Sequence, residues 1–140
     1  MKLGSLKEGG RDGTLVVVNR DLTRMMPAND IAPNLQAALD IWDKALPELQ
    51  KLYDRLNNER SLDARPFVAS EMSSPLPRAF QWADGSAYLN HMRLVRKARG
   101  AEMPAGFDQE PLLYQGGSDG FIGPEDPIEI SDDSWGIDFE

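Results

Sequence analysis

The chain has 140 residues, 41% hydrophobic and 27% charged, with a formal net charge of −8. That is the make-up of one ordinary globular domain, or of one small domain plus part of another, and the negative balance argues against nucleic-acid and anionic-lipid partners, which need a positive surface. There is no cysteine and one histidine, His91. Disulfides, thiol nucleophiles and two-histidine zinc sites are therefore excluded, and a bound metal would need mostly oxygen ligands, as magnesium, calcium or manganese accept.

The N-terminus carries no apolar core of signal-peptide type, and no apolar run reaches transmembrane length. A cytoplasmic location is the default expectation. Residues 2–6 and 14–19 read as short strands, the second built on Leu15-Val16-Val17-Val18, a run suited to burial. The Gly-rich, charged stretch 7–13 between them reads as a hairpin loop. A third strand takes in Arg24-Met25-Met26 and stops at Pro27.

Residues 33–59 carry the strongest helical signal. Leu35, Ala38, Leu39, Trp42, Leu46, Leu49, Leu52, Tyr53 and Leu56 recur at spacings of three and four. Asp30 is placed as N-cap and Pro33 in the first turn. Pro47 predicts a kink or two consecutive helices, because it lacks the N–H and clashes with the preceding turn. The stripe reads as packing rather than binding. Prolines and serines over 61–80 predict an extended connection.

Beyond it, Asp84-Gly85-Ser86 reads as a helix start and residues 86–99 as a helix. Lys97 and Arg99 suit its C-terminal dipole, and Gly100 suits the position just past the end. Residues 112–140 alternate turns with strand candidates at 112–114, 128–130 and 135–139, the last running to the end of the chain. An unfinished strand suggests a fragment.

Asp84 and His91 lie seven residues apart. On one helix that is two turns, with both on one face and about 10 Å of rise between them. A carboxylate could hold a hard metal at one end of a substrate, while an imidazole acts as base toward water at the other. On spacing alone Asp84 reads first as an N-cap and His91 as a packed or exposed residue.

The stretch from Trp82 to His91 resembles the opening of the catalytic domain in bacterial fumarylacetoacetate hydrolase family proteins. Leu94-Val95-Arg96-Lys97-Ala98-Arg99-Gly100 does so too, as do the block from Pro111 to Asp119 and Trp135-Gly136-Ile137-Asp138-Phe139-Glu140. Residues 2–20 are similar to the family's small N-terminal domain. The four later blocks follow in register.

The resemblance implies a metal-dependent hydrolase that cleaves a carbon–carbon bond in fumarylacetoacetate or a related diketo acid, in tyrosine and aromatic catabolism. It makes Asp84 and Glu140 metal ligands, with Glu140 opening a Glu-x-Glu motif whose second Glu would follow two residues on. It makes His91 the general base. It places Tyr114, Ser86 and Arg99 near the substrate, with two departures. The animal members carry Tyr where Ser86 stands, and no gap-free match puts Arg99 on their carboxylate-binding Arg. The implied cofactor is Mg2+ or Ca2+, with Mn2+ a further candidate, and the implied parent is a homodimer.

The chemistry suits these residue types. A 1,3-diketone chelates a hard ion through both oxygens, the ion stabilises the enolate leaving group, and water needs a base that titrates near neutrality. The expected fold is α+β. A small N-terminal domain of strands and amphipathic helices spans 1–62, a linker 63–80, and an incomplete, mainly β catalytic domain 81–140. Leu112, Ile128, Ile130, Ile137 and Phe139 are expected to be under-packed, and the chain alone is expected to have little or no activity. Two alternatives stay open. One is a non-catalytic oligomerisation or binding module. The other is an isomerase, hydratase or decarboxylase of the same family, since function lives in the site rather than the fold.

Overall fold

The first strands follow from the apolar run at 15–18. In the computed structural model, which describes residues 1–59, 63–117 and 119–136, β1 (Lys2–Leu6), β2 (Thr14–Val18), β3 (Arg24–Pro27) and β4 (Arg65–Pro66) form one antiparallel sheet in that order. Alternate residues of a strand point to opposite faces. Leu15 and Val17 join the cluster packed on the helices, while Val16 and Val18 join a second cluster with Leu6, Met25 and Met72. Both faces of β2 are covered, which is why its apolar residues run without alternation.

Asn19 organises the β2–β3 turn. Its side-chain oxygen accepts from the N–H groups of Thr23 and Arg24, both at 2.9 Å, and its amide donates to Thr23 Oγ1 at 3.0 Å. Residues 63–78 stay on this sheet. Besides β4, Leu6 bridges Met72, Ser73 N–H donates to the Ser5 carbonyl at 2.8 Å, and the buried Ser5 hydroxyl donates to the Pro75 carbonyl at 2.7 Å.

The helical region divides into α1 (Leu35–Asp40) and α2 (Trp42–Asn58). The N-cap is Asn34, whose side chain accepts from Ala37 N–H at 2.8 Å, and not Asp30. Pro33 lies before the cap, and its carbonyl accepts from Leu15 N–H at 3.2 Å. Of the two outcomes expected at Pro47, consecutive helices form, but the break falls at Ile41 and Pro47 sits inside α2. The buried seam is narrower than the sequence stripe. It runs Ala38, Ala45, Leu49, Leu56, while Leu39 and Leu46 are exposed.

The chain divides into two compact units, residues 1–78 with 121–140, and residues 79–120. Within the first, the segment after 120 is tied down by Phe121 N–H donating to the Pro77 carbonyl at 2.8 Å and by a Lys7–Asp126 ion pair. Ile128 and Ile130 are exposed and lie in no strand, unlike the expectation for 128–130. Ile137 and Phe139 lie outside the described residues.

In the second unit β5 (Ala83–Ser86) pairs antiparallel with β6 (Leu112–Gln115), and α3 (Leu89–Ala98) lies between them in sequence. The expected helix over 86–99 therefore starts three residues later. Asp84, Gly85 and Ser86 have ladder partners in Tyr114, Leu113 and Leu112, and a ladder satisfies backbone groups that the first turn of a helix leaves open. The helix ends as the sequence predicts. Gly100 has φ +63°, its N–H donates to the Lys97 carbonyl at 3.1 Å, and Ala101 N–H donates to the Arg96 carbonyl at 2.9 Å. That bond pair is a Schellman stop, which favours glycine. No described helix is long and apolar enough to cross a membrane.

Candidate functional site

Each candidate residue other than Glu140 sits on β5, β6 or the α3 region. Asp84 and Ser86 are two apart on β5 and so point to one face, where their cross-strand partners are Tyr114 and Leu112. Directly opposed side chains on such a ladder have Cβ atoms about 5 Å apart. Asp84 and Tyr114 are therefore neighbours, both exposed, with Tyr114 at 65%. The strand offers neither residue a buried partner.

A shallow pocket of about 130 Å3 gathers Ser86, His91, Arg96, Arg99 and Leu112, floored by Met92 and Val95. It forms because His91, Val95 and Arg99 follow at four-residue spacing along one side of α3. Met92, the one buried residue of that helix, seats it. The Schellman stop then fixes the backbone of Arg99. Three of the sequence-named residues, Ser86, His91 and Arg99, thus come together around one pocket.

Contrary to the expectation from their spacing, Asp84 and His91 do not share a helix face. Asp84 belongs to a strand and His91 to the helix that follows. Glu140 lies outside the described residues.

Arg96 was missed. It is four residues after Met92 and three before Arg99, so the same helical arithmetic that groups the others puts it on this face. With Arg96 and Arg99, and with no acidic residue in its lining, the pocket suits an anion such as a carboxylate, which guanidinium groups hold in bidentate fashion.

A strand-level detail holds the hairpin in shape. A side chain at Gly116 would run into the Trp82 indole, and Gly116 N–H donates to the Trp82 carbonyl at 3.0 Å. Just before the start of β5, the Gln81 amide donates to Gln115 Oε1 at 2.9 Å. On the outer side of α3, Arg93 lies 5.4 Å from the Phe107 ring centroid, a cation–π contact.

Asp84 has the oxygen chemistry a hard divalent ion takes. Among the described residues, however, no three His, Asp or Glu side chains converge on a point that could hold one. The described part of the chain does not complete a metal site.

Comparison with curated proteins gives no match. Residues 1–78, more than half of the chain, match the family described as fumarylacetoacetase N-terminal domain 2, and the chain belongs to that family.

Proposed function

We propose that the chain serves a hydrolase that cleaves a carbon–carbon bond in fumarylacetoacetate or a related diketo acid. Family membership supports the class, and the observation that carries the site is the meeting of Ser86, His91 and Arg99 around one pocket. In this reading the His91 imidazole accepts the proton of the attacking water and returns it to the carbon leaving group. Arg99, helped by Arg96, holds a substrate carboxylate, while Ser86 and Tyr114 offer hydroxyls to substrate oxygens.

Asp84 and Glu140 are the proposed ligands of Mg2+ or Ca2+, with Mn2+ a further candidate. Such an ion would polarise the carbonyl and stabilise the enolate that leaves. Hard ions usually take several protein oxygens, and Asp84 is the one proposed ligand among the described residues.

The test follows the loss of the diketo-enol absorbance of fumarylacetoacetate, with and without a chelator, in a protein carrying these residues and a full ligand set. His91→Gln should lower kcat by roughly 10²- to 10⁴-fold and leave substrate binding in place. A His91→Gln variant with the parent's rate would remove His91 from the mechanism. Release of carbon dioxide, or a rearranged product in place of two acid fragments, would move the reaction to the decarboxylases or isomerases of the family.

A further inference from the structure

On the sheet face opposite α1 and α2, Met72 Cε fills the space that a side chain at Gly4 would need. Lys2 and Gly4 are the ladder partners of Val18 and Val16, so the four share that face. Over it lies an open groove of about 510 Å3, within the range of roughly 300–1,000 Å3 that holds small organic ligands. Val18, Leu22, Phe67, Met72 and Ile122 supply its apolar lining, and Lys2 is the single charged residue among the lining side chains. All belong to the first unit.

Two observations say what belongs there. The first is Leu22. The β2–β3 connection turns over Asn19–Leu22, closed by Leu22 N–H donating to the Asn19 carbonyl at 3.2 Å, and its last residue lies in the left-handed region. That last position is normally glycine, yet here it is Leu22 at φ +55°. Its side chain is 49% exposed, so the strain is not repaid by packing within the chain. Strain kept at such a position points to a role for the side chain. It stands at the edge of the groove, as does Ile122, which is 53% exposed.

The second observation is charge. Lys2 Nζ donates to the Arg20 carbonyl at 2.8 Å. Among the described residues no carboxylate pairs with it. Two N–H donors and a full positive charge are left at the rim of an apolar groove, in a chain of net charge −8.

We propose that this groove binds a small free monocarboxylate with an apolar tail. The tail lies along Val18, Phe67 and Met72 beneath Leu22 and Ile122, and the carboxylate meets the Lys2 ammonium. The proposal does not rest on the reading of the His91 pocket, since no residue is common to the two.

The experiment titrates the 140-residue chain with octanoate and, separately, with 1-octanol. It is read by the ¹³C-methyl resonance of Met72 and by calorimetry, in the parent, Leu22→Gly and Lys2→Met. Octanoate should saturate one site and shift Met72. Leu22→Gly should unfold no earlier than the parent, because glycine relieves the turn, while its octanoate affinity falls about fivefold or more. Lys2→Met should weaken octanoate several-fold and leave octanol unchanged. The proposal is overturned by the absence of a saturable Met72 shift at millimolar octanoate. Equal affinity in Leu22→Gly would overturn it too, as would equal binding of acid and alcohol. A Met72 shift that depends on protein concentration alone would assign the groove to a second copy of the chain instead.

Discussion

Replacing Leu49 by alanine tests the helix seam directly. Leu49 is fully buried in the cluster with Leu15, Val17, Ala45 and Leu56, whereas Leu46, three residues earlier on the same helix, is 39% exposed and outside that cluster. Removing a buried leucine side chain to alanine costs about 2–5 kcal/mol, the transfer loss plus the cavity left behind. With no exposure at Leu49 and its place in a buried cluster drawn from the sheet and the helices, a loss of about 3 kcal/mol is expected. For Leu46→Ala the loss should stay under about 1 kcal/mol, because little area is uncovered and alanine has the better helix propensity. Near the midpoint of a domain of this size, 1 kcal/mol moves Tm by about 4–8 °C. Leu49→Ala should therefore melt about 12–24 °C lower, and Leu46→Ala within a few degrees of the parent. The assay is helix ellipticity against temperature, with urea titrations to check that the m-value holds. Equal losses in the two variants, or a larger one at Leu46, would refute the assigned phase of α2.

Asn34→Ala removes the acceptor of the 2.8 Å bond from Ala37 N–H and should cost about 1 kcal/mol in urea unfolding. Loss of the same size from Asp30→Ala would return the cap to Asp30. The carboxyl of Asp12 is held below the ordinary aspartate value chiefly by the hydrogen bond from Arg78, and that of Asp126 by Lys7 and then by the Gly123 N–H. A carboxyl depressed in the fold stabilises above its unfolded value, and that contribution disappears as pH falls through the folded one. Tm should thus drop between about pH 5 and about pH 2, less steeply in the Asp12→Asn/Asp126→Asn double variant; an unchanged acid slope would exclude these two pairs as its source. Gly116→Ala forces a side chain onto the Trp82 indole and should alter the near-UV circular dichroism of the tryptophans. A spectrum identical to the parent's would show that the two strands do not hold that approach.

How much was legible depended on whether the partner of each residue is near in sequence. The run at 15–18 announced a buried strand, and a hairpin to 2–6 needs only the loop at 7–13. The stop of α3 was equally local, since Gly100 answers to bonds from the preceding turn. Asp84-Gly85-Ser86 misled because the same residues cap helices and begin strands, and the partner that decides, 112–114, lies far along the chain. Pro47 misled in another way. It advertised a break, and two helices do form, but the break falls at Ile41 with φ −122° and ψ 33°, a position with no sequence flag, while Pro47 sits inside α2. Ser86 and Arg99 are reached through the resemblance, whereas Arg96 carries its own signal in its spacing from Met92 and Arg99.

The two kinds of information sit on different stretches of the chain. The family match covers residues 1–78, where, among the described residues and with the exception of Met92, the buried hydrophobic residues lie. The candidate chemistry at Ser86, His91 and Arg99 begins after that match ends. A family signature built on packing constrains what tolerates no void, because cores respond to a single methylene. A reacting surface must instead leave side chains reachable, as the exposure of His91, Asp84 and Tyr114 does. Stability and chemistry should therefore separate under mutation. Changes at Leu49 or Leu56 would move the melting of the first unit, while changes at His91 or Arg96 would alter ligand handling with little effect on that melting. The recognisable part of this sequence is its scaffold, and its function has to be argued from the pocket.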